Sequence, residues 1–231
     1  MTGTDASVRR NDPMPVDSMT DRAAPSVTLD TFDAETAALV QLAALLAGGS
    51  EAQVRESLAR AVSEVRAEWV DEVILQTYLF AGFPRALNAA REWRRVSGRP
   101  APEQDDAAID APAERKERGE DTCRRVYGHF YERLRVNIAE LHPALDRWMI
   151  EEGYGKVLSR APLDLARREL CIVAACAIAR QDRQLHSHLH GALHAGATPA
   201  VVTAALATVT PWIDANDGKR YQGLWARVQG K

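Results

Sequence analysis

Residues 167–206 read RRELCIVAACAIARQDRQLHSHLHGALHAGATPAVVTAAL. From Asp164 to Arg180 apolar residues fall on most sides of a helical wheel, at Leu165, Leu170, Ile172, Val173 and Ile178. A helix that is apolar nearly all round belongs at the centre of a core. A second helix runs from about Asp182 to Ala195 and stops at Gly196. Thr198-Pro199 is an N-cap followed by proline in the first turn, and opens a third helix to about Val209. No run in the chain alternates apolar and polar residues with period two, so the fold class expected is all-α, without a sheet.

The flanking sequence is also helical. AETAALVQLAALLAGG (34–49) is one helix, stopped by its glycine pair. Ser50 caps the next, about Glu51 to Val65, with Gln53 at capping-box spacing. A third covers about Glu68 to Phe80, ahead of the breaker Gly82-Phe83-Pro84, and a fourth about Arg85 to Val96. Residues 98–118 are rich in proline, alanine and charge and read as a linker or a solvated helix start. Helix is expected to resume over about Glu120–Leu141. A short helix after His142-Pro143 should end at Gly153-Tyr154-Gly155, and a last one should span about Asp217–Val228. Residues 1–30 lack apolar periodicity and read as a disordered tail, with no apolar segment of signal-peptide type.

Sliding the chain on itself by 131 residues lays Ala43-Ala44 over Ala174-Ala175, Gln53 over Gln184, Leu58 over Leu189 and Ala61 over Ala192. The expected organisation is therefore a tandem duplication, with a degenerate first repeat over 31–97 and a second over 119–231. The polar residues do not repeat: Glu169 lies over Ala38 and His188 over Ser57. Chemistry is expected in the second half alone.

Composition excludes some roles. The chain has 231 residues, a formal net charge of −3 and 46% hydrophobic residues. Arg94-Arg95 and Arg124-Arg125 join no longer basic run, so nucleic acid is not an expected partner. No apolar run approaches the roughly 18–20 residues of a membrane span. Three unpatterned cysteines, Cys123, Cys171 and Cys176, suit a reducing, cytoplasmic setting rather than a disulfide framework.

From about residue 33 to the C-terminus, with EVILQTYLFAGFPRALNAAREWRR in the first half and the motif residues in the second, the chain resembles the carboxymuconolactone decarboxylase family, which also contains the alkyl hydroperoxidase D-like proteins. The peroxidase branch carries a Glu, eleven residues, Cys-x-x-Cys, three residues, His, and a Gly eight beyond that His. Here Glu169, Gln181, Gln184, His188 and Gly196 take those places. Peroxidase chemistry needs a dithiol that glutamine cannot replace, so thiol peroxidase activity is not expected. The string QLHSHLHGALHAG is similar to the decarboxylase branch. That resemblance implies a cofactor-independent carbon–carbon lyase of aromatic-compound catabolism, acting on a small lactone or unsaturated carboxylic acid. It implies His188 as the acid that protonates carbon and Glu169 as the group that orients the imidazole or stabilises its charged form. Gln184 and Gln181 are candidate oxyanion donors, and Arg168 or Arg167 a candidate fork for the substrate carboxylate. The resemblance also implies a homo-oligomer, a trimer of tandem chains giving a ring of six units.

Competing readings use the same residues. Glu169 could salt-bridge an arginine, and His188 could be a satisfied buried histidine. A different acid–base reaction (isomerisation or lactone hydrolysis) and a non-catalytic binding or structural role both stay open. His186, His190 and His194 share a helix face but read as a polar stripe, so no metal is expected.

Overall fold

In a computed structural model, the structure describes residues 28–105, 108 and 111–230. Most of the tail read from the sequence, residues 1–27, lies outside these. The described residues form an all-α bundle: α1 (Ala34–Gly48), α2 (Glu51–Glu64), α3 (Ala67–Ala81), α4 (Phe83–Ser97), α5 (Pro112–Tyr127), α6 (Tyr131–Leu141), α7 (Pro143–Trp148), α8 (Leu165–Ile178), α9 (Asp182–His194), α10 (Pro199–Val209) and α11 (Ala215–Val228). A π-helical stretch, Met149–Leu158, continues α7. The sole β pairing among the described residues is an isolated bridge, Leu29 to Ala197. Leu29 thus anchors the end of the stretch read as tail. No helix of the described residues is long and apolar enough to cross a membrane.

Helix starts follow local chemistry. Ser50 and Gln53 form a reciprocal capping box, with Gln53 Oε1 accepting from Ser50 N at 2.8 Å. Asp164 caps α8, Thr198 caps α10 and Asp214 caps α11. At the end of α1, Arg85 donates to the carbonyls of Leu46 at 2.6 Å and Gly49 at 2.7 Å. Those are orphan acceptors of a helix C-terminus, so α4 is tied to the end of α1.

The core lies along the contact of α1 with α8. Arg167 Nε donates to Thr36 Oγ1 at 3.0 Å near one end. Cys171 Sγ lies 3.9 Å from the Leu39 carbonyl further along, and Gly48 abuts Ile178 at the other end. The two helices therefore run parallel. From residue 166 to 177 of α8 every residue except Arg167 is buried, as the nearly continuous apolar circumference requires. The starts of α1, α2, α3 and α4 precede those of α8, α9, α10 and α11 by 131 to 132 residues.

Three segments depart from the pattern read in the sequence. Helix α5 begins at Pro112, earlier than the start expected near Glu120 and inside the stretch read as a linker or a solvated helix start. The expected helix over 120–141 breaks at Gly128, whose φ of +54° suits glycine. The Gly153-Tyr154-Gly155 segment stays helical instead of stopping. Its Gly155 serves close approach: a Cβ there would sit 2.2 Å from the Arg115 carbonyl oxygen, and one on Gly119 would sit 2.2 Å from that of Ile150. Alanine at Gly119 is therefore expected to destabilise by about 1–3 kcal/mol or more, because two backbones must part. A urea denaturation midpoint unchanged in Gly119→Ala would refute this packing.

Candidate active site

Glu169 stands on α8 and His188 on α9, nineteen residues apart in sequence. Their helices pack together, and His188 Nδ1 lies 2.8 Å from Glu169 Oε2. Glu169 is fully buried, and the His188 side chain keeps 7% exposure. A carboxylate can only accept from Nδ1, so Nδ1 carries the proton in the neutral ring. Nε2 has no hydrogen-bond partner among the described residues and is not fully buried. Phe80, at the end of α3 in the first half, meets the imidazole edge to face with centroids 5.8 Å apart.

The other carboxylate oxygen, Glu169 Oε1, is buried without a partner. Leaving such a group unpaired costs on the order of 1–3 kcal/mol or more. A glycine makes room for the carboxylate: a Cβ on Gly191 would lie 2.4 Å from Oε2 and 2.7 Å from Val126 Cγ1. Cys176, Cys123, Tyr127 and Tyr154 all feel the carboxylate's charge. Burial pushes the Cys176 thiol up to about 12, and Glu169 adds to the rise. The Cys123 thiol is likewise pushed up to about 12, first by burial. The Tyr127 hydroxyl, beside Tyr154 and Ser187, is raised mainly by burial. All three cysteines are buried and unpaired.

The remaining candidates sit elsewhere. Gln181, just before α9, and Gln184, in its first turn, are both exposed. Arg168 is fully buried and turned toward the first half. Its Nη2 lies 2.6 Å from Glu72 Oε2 and donates to the Arg160 carbonyl at 2.8 Å. Arg160 Nε lies 3.1 Å from the same Glu72 oxygen, and Gln76 Nε2 donates to the Arg168 carbonyl at 3.2 Å. What Arg168 holds in this structure is α3. Burial pulls the Arg168 pKa down, and the charge of Glu72 opposes that. No group of three or more potential metal ligands gathers among the described residues.

Sequence reasoning missed Phe80 and Gly191. Phe80 comes from the half without motif residues, so no spacing points to it. Gly191 had a signal: an isolated glycine inside a helical pattern often marks a close approach.

Residues 143–216, from α7 to the first turn of α11, match the family model described as "CMD: Carboxymuconolactone decarboxylase family". Among curated proteins, the chain is 31% identical over 138 residues to Peroxisomal protein 2 of Schizosaccharomyces pombe (strain 972 / ATCC 24843). That alignment covers 58% of this chain and 63% of the relative's length. The matched segment holds both members of the hydrogen-bonded pair, so residues 143–216 are similar to the carboxymuconolactone decarboxylase family across the candidate site.

Proposed function

We propose that the chain is a cofactor-independent acid–base enzyme of the decarboxylase type, acting on a small lactone or unsaturated carboxylic acid. The observation that carries this reading is the buried Glu169–His188 pair, with Nδ1 held at 2.8 Å and Nε2 left unpaired. Glu169 fixes the ring and balances positive charge on it. His188 Nε2 then carries the mobile proton. In the proposed step the bond between substrate carbon and carboxylate breaks and CO2 leaves. The electron pair passes into the lactone carbonyl as an enolate. The Nε2 proton of the imidazolium goes to carbon, and solvent restores it. The orphaned Oε1 supports a functional carboxylate, since a purely structural ion pair is normally satisfied at both oxygens.

Thiol chemistry is no part of the proposal. Glutamines stand at both cysteine places, and the thiols present are buried and far from ionising. The free, buried cysteines support a reducing compartment, proposed here as the cytoplasm. The relative's name assigns that protein to the peroxisome.

Self-association, with a trimer of chains as the favoured form, is part of the proposal. It is supported by Val136, Leu141, Leu145 and Trp148, which are large, apolar and about half exposed or more on α6 and α7. Replacing Leu141 and Trp148 by glutamate is expected to give a folded species of 25.4 kDa in light scattering. A mass unchanged from wild type would remove this face from the interface.

A second reading is a binding protein that kept the fold without the chemistry. It is favoured by one observation: neither Glu169 nor His188 lines the larger clefts formed by the described residues. The test is a CO2-release and ultraviolet assay with carboxymuconolactone and related lactone acids. Turnover with CO2 supports the decarboxylase. Product without CO2 indicates an isomerase or lactone hydrolase. No turnover by a folded oligomer supports the binding protein.

A further inference from the structure

Histidines 186, 190 and 194 are four apart on α9, about 200° round the helix from His188. They line a cleft of about 370 Å³ closed on the other side by the end of α5 and by α6. His186 and His190 meet edge to face at 5.0 Å, and His190 and His194 follow at 6.3 Å. His194 Nδ1 donates to the Val126 carbonyl at 2.7 Å, which fixes that ring in place. Tyr127 and Phe130 supply aromatic walls. Arg133 also lines the cleft and makes no ion pair with any described residue.

No carboxylate lines this cleft. The charge nearest an occupant is thus one uncompensated guanidinium, with imidazole N–H groups and the Asn137 amide beside it. Burial, then the neighbouring His186, His194 and His129, hold the His190 pKa below its usual range. Added positive charge is disfavoured there, and an anion would relieve it. A guanidinium fork matches a carboxylate in geometry. Flat aromatic walls favour a ring stacked or met edge-on. The volume suits one ring with its substituent.

We propose that the cleft between α9 and the α5–α6 corner is a binding site for a small aromatic carboxylate, anchored by Arg133. The site is separate from the Glu169–His188 pair, neither member of which lines it.

Calorimetric titration of the full chain in its native assembly tests this, with benzoate as probe, benzamide as neutral counterpart and inorganic phosphate as an anion without a ring. Benzoate is expected to bind once per chain, at least about tenfold more tightly than either control, since a hydrogen bond to a charged group is worth about 1.5–3 kcal/mol. Arg133→Gln, an exposed substitution, should weaken benzoate at least about tenfold with an unchanged melting temperature. His188→Gln should leave benzoate binding intact. Equal binding of benzoate and benzamide, or of benzoate and phosphate, would overturn the proposed ligand class. Loss of binding in His188→Gln but not in Arg133→Gln would place benzoate at the catalytic pair and overturn the site. Absence of benzoate binding would overturn it outright.

Discussion

His188→Gln is expected to lower kcat/KM by about 10²-fold or more on the substrate that wild type turns over. Glutamine can offer an amide N–H near the ring's place but cannot carry a proton between solvent and carbon. The loss should therefore fall on kcat, with KM little changed. The fold should survive, because the side chain is at the edge of the buried region and keeps 7% exposure. Glu169→Gln is the companion variant. It keeps a hydrogen-bonding oxygen near Nδ1 but removes the charge that balances the imidazolium. A pH–rate profile whose ascending and descending limbs are the same in wild type and Glu169→Gln would remove the carboxylate from the mechanism. Unchanged turnover in His188→Gln would remove the histidine.

Glu72→Ala is expected to cost about 3–5 kcal/mol in folding stability, because it strands the fully buried guanidinium of Arg168. Arg160, which shares the same oxygen, keeps Asp105 at 2.7 Å and so loses less. For a chain of this size each kcal/mol moves the melting temperature by about 2–4 °C. A drop of about 6–20 °C should follow, read by calorimetry or by a denaturant series. The double variant Glu72→Leu/Arg168→Met separates charge from packing. It removes both buried charges at similar volume and should recover most of the loss. If Glu72→Ala alone costs less than about 1 kcal/mol, the pair does not behave as a buried one.

Helix starts were legible because capping is local. Ser50 with Gln53, and Thr198 with Pro199, announce themselves within four residues. The break at Gly128 was not legible. It depends on where the chain must turn past His194, 66 positions later in the sequence, and no residue near Gly128 encodes that. The glycines at 153 and 155 misled for a related reason. They read as a stop, but Gly155 serves the approach of another backbone.

The site divides in the same way. Glu169 and His188 were readable from motif spacing and family resemblance, and the packing of α8 on α9 brings their side chains to 2.8 Å. The partner of Arg168 was not readable. Glu72 lies 96 residues earlier, in the half without motif residues, so nothing near Arg168 in sequence points to it. Phe80 was hidden for the same reason. Gln184 shows that lying one turn from His188 does not by itself bring a side chain inward, and Gln181, just before the helix, is exposed as well.

The parallel contact of α1 with α8 has a consequence during synthesis. Helix α1 ends at Gly48, and α8 does not begin until Leu165. At about 5–20 residues per second, the ribosome takes roughly 6–25 s to supply the second helix after the first is complete. Through that interval Leu39, Val40, Leu42 and Leu46, all fully or almost fully buried in the finished protein, have no final partner. Helices α2 to α4 can shield part of this surface early, as the Arg85 bonds to the end of α1 suggest a self-contained hairpin stack. What they leave open is a sticky stripe on every nascent chain. Crowded polysomes would bring such stripes side by side, so the yield of soluble protein should depend on how fast the second half follows the first.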